Sequence, residues 1–519
     1  MKPRSVSFSR AIECVAAALI SALAALPACA QQAPPRPAED QELAESVREL
    51  REEIEQLRGT VSELRSEAAQ YRAEGQELRK EVESLRAGAQ AAGPAEAPSG
   101  REQSPPSAGP ASDERISSLE DTAQVHQSEL RTLYQTKVES ASKYRVRLSG
   151  LVLLNLFRNT GGVNNVDVPT YATSAAPYGT APSFGATLRQ SEIGLEVFGP
   201  TFAGAKTSGQ VSLDFGGGFP SAALDGVSTG LVRMRTADVR LDWENTSIIA
   251  GQDSLFISPN SPTSFASLLA PSLAYSGNLW AWTPQLRVEH RFPIAGDQNI
   301  SIQGAILDNL TGQPSFTSFR TPGAGENSGQ PAYAVRTAWK REDHDRPLVV
   351  GASGYYSRQN WGSGREVDGW AGMADWRVPL PGRFEFSGEF YRGRAVGGLG
   401  GGIGQSVLFG AAPASPFAPV RALNSAGGWS QLKFSLNSRL EFNGAFGMDN
   451  PFASDLNAFP MPTGFYASVL TANRSEMMNF IYRPRSDLVL SGEYRHLHTT
   501  QIGNYFLANH VNLMMGVLF

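Results

Sequence analysis

Four arginines pose the chemical question. Arg233 and Arg235 stand two apart, and Arg287 and Arg336 sit in segments that also alternate apolar and polar residues. In an extended strand residues i and i+2 share a face, so Arg233 and Arg235 project to one side. A guanidinium grips carboxylate and phosphate oxygens in bidentate fashion. A ladder of four on one wall would lower the barrier for anions passing it. Glu289 and Asp242 fall on the same polar faces, so the competing reading is that these charges pair and merely solvate a water-filled space. Other chemistry is sparse. There is no H-E-x-x-H, G-x-S-x-G or phosphate-binding loop. The run Gly397 to Gly404 lies between two strand-like segments and reads as a flexible loop. Asp343-His344-Asp345 reads as a solvated turn. Asn164, Asn165 and Asp167 offer calcium-type oxygens in a loop, but no catalytic residue, metal or cofactor is expected.

The elements that would carry these side chains have a period of two. In QLRVEHRF, Leu286, Val288, His290 and Phe292 oppose Gln285, Arg287, Glu289 and Arg291, and FEFSGEF, QLKFSLN and RLEFNGAF repeat the pattern. It predicts sixteen strands near 145–157, 187–198, 207–215, 231–243, 247–255, 283–293, 298–308, 332–341, 347–357, 369–378, 383–392, 428–437, 439–448, 474–483, 487–496 and 510–519. Short connections such as Glu244-Asn245-Thr246 alternate with long ones such as 158–186, 256–282 and 393–427. An even count, short turns on one rim and long loops on the other specify a closed transmembrane β-barrel. A soluble sandwich or propeller is the alternative. Descending strands should close on a lipid-facing aromatic. Trp243, Phe292, Trp339, Trp376, Tyr482 and Phe519 do so in phase, and Phe198 is out of phase. The last strand, NHVNLMMGVLF, would pair with the first and leave no edge. In the loop 256–282, Leu268, Leu269 and Leu273 are too apolar for water, so this loop should fold into the barrel and pack on its wall. A cover over a subunit interface is the other reading.

Ahead of the barrel stand helical and targeting signals. Residues 1–30 read as a signal peptide: Lys2, Arg4 and Arg10, an apolar run, then Ala28-Cys29-Ala30. A lipoprotein box acylated at Cys29 is the rival. Cys14 and Cys29 are the only cysteines, so a cleaved chain can form no disulfide. From 40 to 87 a heptad places Leu43, Leu50, Leu57, Leu64 and Leu78 in one core column and Val47, Ile54, Val61 and Val82 in the other. Glu53, Glu67, Glu74 and Glu81 at g face Arg58, Arg72, Arg79 and Arg86 at e of a parallel neighbour. This is a homo-oligomeric coiled-coil stalk, whose Val/Ile-a, Leu-d core leans to two strands but is interrupted at Ala68, Tyr71 and Gly75. A Pro/Ala/Gly linker, 88–112, and a short second coiled coil, 113–144, join it to the barrel at 145–519; His126 in that coil reads as a core position.

Net charge is −5 and the isoelectric point near 5.8, which argues against nucleic acid as a partner. Stalk, linker, hairpin strands, long third loop and the terminal Met515-Gly516-Val517-Leu518-Phe519 together resemble the trimeric general porins. They are most similar to the DcaP-like, dicarboxylate-type porins that carry an N-terminal periplasmic coiled coil. Val232 to Ala237 and Ile249 to Gln252 resemble strand segments of those porins. The resemblance implies a homotrimer in the bacterial outer membrane with its stalk in the periplasm. It also implies recognition of Phe519 by the barrel-assembly machinery, and passive diffusion of small hydrophilic solutes, with the arginines favouring anions and carboxylates. The alternative is a structural anchor, in which the stalk ties outer-membrane lipid to peptidoglycan and little passes through.

Overall fold

A computed structural model describes residues 145–174, 182–218, 230–294, 296–312, 320–341, 346–410, 418–458 and 469–519. The signal peptide, both coiled coils with their Glu–Arg pairs, the linker, Cys14, Cys29, His126 and Asp343-His344-Asp345 lie outside these residues.

Period-two alternation folds into sixteen antiparallel barrel strands: β1 (Arg145–Thr160), β2 (Ser183–Thr187 and Glu192–Phe198), β3 (Lys206–Asp214), β4 (Arg233–Asp242), β5 (Thr246–Ser254), β6 (Trp282–Pro293), β7 (Gln298–Leu307), β8 (Ala332–Arg341), β9 (Leu348–Asn360), β10 (Glu366–Leu380), β11 (Phe384–Arg394), β12 (Asn424–Ser435), β13 (Leu440–Pro451), β14 (Leu470–Arg485), β15 (Leu488–Gln501) and β16 (Asn504–Leu518). Each pairs with its sequence neighbour, and β1 pairs with β16 from Leu151↔Leu518 to Thr160↔Asn509. The sheet therefore closes, and every wall strand has two partners, which is what a bilayer demands of backbone polar groups. Two halves of β2 flank a break at 188–191, and both pair with β1.

Outward positions are apolar and exposed: Leu286 47%, Val335 50%, Phe390 51%, Leu513 56%. They would be an aggregation hazard in water and are suited to acyl chains. Bulky rings cover outward glycines. Trp376 lies over Gly388, Phe480 over Gly492, and Phe519 over Gly150, where an added Cβ would meet Phe519 Cζ at 2.5 Å. At that seam Gly150 N–H donates to Phe519 O (2.9 Å) and Phe519 N–H to Gly150 O (3.1 Å).

Several strands run past the expected ends. β15 and β16 continue to a two-residue turn at Ile502-Gly503, with Gly503 at φ 79°, where the sequence ended one strand at 496 and began the next at 510. His496, His498 and Asn509 are polar and outward there, so the apolar alternation stops while the ladder does not. The apolar period marks the thickness of the membrane rather than the length of the strand.

Candidate permeation pathway

The loop between β5 and β6, here L3 (residues 255–281), turns into the barrel and follows its wall. Arg377 of β10 donates to Asn260 Oδ1 (3.1 Å), and Glu389 of β11 accepts from Asn260 N–H (2.7 Å) and Ser258 Oγ. Thr263 N–H donates to Gln431 of β12 (2.6 Å), and Asn479 of β14 donates to Thr263 O (2.7 Å). Ser264 donates to Glu493 of β15, Asn155 of β1 to Phe265 O (3.4 Å), and Leu268 N–H to Gln190 in the β2 break (2.8 Å). Finally Arg233 of β4 donates to Leu269 O (2.7 Å). The loop thus meets the wall strand after strand, and the wall side chains take up backbone groups that burial would otherwise leave unpaired.

Apolar residues fix it further, as their sequence position required. Leu269 (5% exposed) and Leu273 (2%) are buried, and Leu268 and Phe265 pack on Leu151, Leu153, Ile481, Val489 and Met514. The returning limb holds Leu273 and Tyr275 at φ 59° and 60° and Gly277 at φ 92°, conformations that cost non-glycine residues about 1 kcal/mol or more. Asn473 restrains it, donating to Tyr275 O (2.9 Å) and Ser276 Oγ (2.8 Å). Glycines seat it: a Cβ on Gly447 would strike Ser276 O and come within 3.1 Å of Leu273 Cδ1.

The four arginines face inward, as do Glu289 and Asp242, but acids accompany them. Arg233 forms a double bond set with Asp214 (3.0 and 2.6 Å). Arg235 contacts Glu192 and lies 3.7 Å from Asp214. Arg287 meets Asp253 (3.0 Å) and Arg336 meets Asp375 (3.1 and 2.7 Å). Asp242 takes Arg240 (2.6 Å), and Glu289 takes Arg291 (3.3 Å). Arg287 and Arg336 are under a tenth exposed. A bulge between Ser212 and Leu213 in the β3–β4 ladder leaves Arg235 as the additional residue, with Arg233 and Arg235 both over the Trp282 ring at 4.8 and 4.9 Å. In the first loop Asp167 is committed to Arg189 (3.0 and 2.9 Å), and Asn164 Oδ1 accepts from Thr170 and Tyr171 N–H.

Phe292, Trp339, Trp376, Tyr482 and Phe519 lie on outward faces, and Trp243 Nε1 caps Ala203 O (3.0 Å). Phe198 turns inward beneath Arg145 and Arg147 (5.8 and 5.2 Å to its ring), which accounts for its phase. The partners that hold L3 carry no local signal in the sequence. Glu389 stood on the polar face of FEFSGEF, and Glu493 and Arg495 stand two apart, yet nothing local told that either meets a loop more than a hundred residues away.

Between the two limbs of L3 and the wall lies a cavity of about 400 Å³ lined by Arg235, Arg483, Pro262, Pro271, Leu268 and the hydroxyls of Ser261, Thr263, Ser264, Ser267 and Ser272. Two guanidinium groups border it, and their acid partners, Glu192 for Arg235 and Glu441 at 3.6 Å from Arg483, are not among its lining residues. Outside the membrane, at the outer rim, Gly323 N–H (2.8 Å) and then Arg320 hold the Glu326 carboxyl below its ordinary range. Burial and the nearby Glu326 charge push Asp308 up.

No protein-family model matches the chain, and no curated protein matches its sequence. Solved structures do. The outer membrane channel DcaP of Acinetobacter baumannii superposes with a TM-score of 0.54 at 17% identity, covering 73% of this chain and 99% of that one. An anion-selective porin from Comamonas acidovorans gives 0.46 at 10%, covering 72% and 100%. OprB of Pseudomonas putida gives 0.43 at 10%, covering 73% and 94%. The barrel has the fold of the DcaP channel, as the residue pattern led one to expect.

Proposed function

We propose that this protein is an outer-membrane porin through which small hydrophilic solutes diffuse passively, with a preference for anions. One observation carries the preference: the cavity framed by L3 is bordered by Arg235 and Arg483 and by no carboxylate. The likeness to DcaP supports the barrel as a channel fold. Selectivity in a pore is set by the charges at its narrowest point. Arg233, Arg287 and Arg336 are tied to acids in the wall and act as struts. Arg235 and Arg483, each also within reach of an acid (Glu192, and Glu441 at 3.6 Å), line the cavity itself. The heptad Glu–Arg pattern supports a parallel homo-oligomer with a periplasmic stalk, and the resemblance to the DcaP-like porins supports three copies over the two that the stalk core leans to. Outward rings support a lipid-facing girdle, and Phe519 supports handover by the barrel-assembly machinery.

Reconstitution of the full-length protein in a planar bilayer, with a salt gradient across it, tests this reading. Conductance steps in groups of three and an anion-selective reversal potential are expected. The Arg235→Gln/Arg483→Gln variant should lose the preference and keep the conductance. Unchanged selectivity in that variant refutes the assigned charges. No conductance from correctly folded protein refutes the pore and leaves anchoring of the stalk to peptidoglycan.

A further inference from the structure

The outward face of β9, β10 and β11 changes character near the outer rim. Below, Tyr356, Trp370 and Phe390 are exposed (39%, 40% and 51%) and aromatic, as befits the boundary of the hydrocarbon. The next outward positions are Arg358, Asp368, Arg392 and Arg394, half-buried or exposed. Arg358 is neutralised by Asp368 (3.0 Å) and lies 3.9 Å from Glu366.

Arg392 is built differently. In register it stands between Gly372 and Ala426, two small residues that leave room for its side chain. Its guanidinium lies 4.1 Å from the Phe452 ring centre and 5.5 Å from that of Trp370. Its hydrogen bonds go to Gly393 O (2.6 Å), Ser425 O (3.2 Å) and Asn424 Oδ1 (3.5 Å), all neutral oxygens. A guanidinium has five N–H donors, so donors remain, and the charge is held in place between two rings. Arg394, two residues on, pairs in register with Trp370 and Asn424 and adds a second cation to the same outward corner, within electrostatic reach of the Asp368 carboxylate that Arg358 binds. A fixed, uncompensated cation facing outward just above an aromatic band is complementary to one chemistry at that depth, a phosphate on a lipid headgroup.

We propose that Arg392 and Arg394 form a binding site on the outer wall for the phosphate of an outer-leaflet lipid. Rings of Phe452 and Trp370 orient the guanidinium, and the aromatic band beneath receives the acyl chains. This site is separate from the pathway through the lumen.

The test is lipid retention by the detergent-purified full-length protein. It is offered phosphatidylglycerol and phosphatidylcholine with the same acyl chains, and in a second arm lipopolysaccharide and its dephosphorylated form. Bound lipid is counted by native mass spectrometry. The protein should retain the anionic lipid over the zwitterionic one and the phosphorylated form over the dephosphorylated one. Arg392→Gln/Arg394→Gln should bind phosphatidylglycerol about tenfold more weakly, the loss of one to two charge-assisted hydrogen bonds. Arg474→Gln, on β14, should bind normally. Should the double variant fail to fold, Arg394→Gln alone, outside the ring stack, should still weaken binding about threefold. Equal retention by variant and parent, or no discrimination by phosphate, overturns the proposal. A double variant that dissociates into monomers with unchanged lipid preference overturns it too, and assigns the face to contact with a second copy.

Discussion

Gly351 is where a side chain would do measurable harm for one reason only. Arg336 on β8 and Asp375 on β10 are two strands apart, and their ion pair passes over β9 at Gly351. A Cβ there would sit 2.8 Å from Arg336 Nη2 and 2.9 Å from Asp375 Cγ, with Oδ1 nearer still, where ordinary contact begins at 3.4 Å. Both groups must retreat by more than half an ångström, which carries bonds of 2.7 and 3.1 Å towards the limit of useful hydrogen bonding. Arg336 and Asp375 side chains are only 8% and 3% exposed, so water cannot take over. Breaking a buried pair by deleting a partner costs about 3–5 kcal/mol, and spreading it without deletion should cost somewhat less, about 2–3 kcal/mol. The backbone itself raises no objection, since Gly351 is not at positive φ. In an Arg336→Ala/Asp375→Ala background the same Gly351→Ala change should therefore reverse sign and stabilise by about 0.4–1 kcal/mol, through the entropy of the unfolded chain. Urea unfolding of the refolded protein in lipid vesicles, followed by tryptophan fluorescence, measures both. An equal cost in both backgrounds would show that the strut is not what glycine protects.

Three further outcomes are expected. Gly447→Ala should push the returning limb of L3 off its seat and change single-channel conductance, with little effect on the unfolding midpoint of the wall; an unaltered conductance would mean the seat does not set the aperture. Phe519→Ala uncovers Gly150 and should lower the temperature at which unboiled protein loses its compact migration, by an amount reflecting about 2–4 kcal/mol of lost ring packing; a change below about 0.5 kcal/mol would remove the seam from consideration. Glu326 has a depressed carboxyl, so its contribution to holding the outer-rim loop is full above the ordinary glutamate value of about 4.3 and is lost as pH falls through the lowered one. The protection factor of the Gly323 amide, its exchange rate normalised to the intrinsic rate at each pH, should fall only in that acid window, and a loss of protection between pH 5 and 7 would contradict the assignment.

How much of this was legible in sequence follows from the range of the interactions. The wall was, because alternation is local: Leu286-Arg287-Val288 declares its two faces unaided, and all sixteen strands appear in the expected order, each overlapping its expected range though not always ending with it. So was the inward turn of L3, since Leu269 and Leu273 could not remain in water. What the arginines do was not. Asp214, Asp253 and Asp375 are as visible as Arg233, Arg287 and Arg336, but only register says which acid reaches which base. Arg483, at the end of a strand far along the chain, joined Arg235 through closure alone. Polar residues above the membrane hid the outer ends of β14, β15 and β16 for the opposite reason: beyond the lipid, a strand no longer needs an apolar face.

The route that L3 takes has a kinetic consequence. Its bonds span 110 residues to Asn155, 168 to Gln431 and 229 to Glu493, and their acceptors and donors come from strands at both ends of the barrel sequence. No local nucleus can form such contacts, and long loop closures are slow. The loop can lie down only after β1 and β16 have met in register, since a slip of one residue would turn Asn155 and Glu493 towards lipid. Until then the chain is a hoop without a diaphragm. The aperture is thus the last part to be made, and its correct assembly reports that the ring has closed.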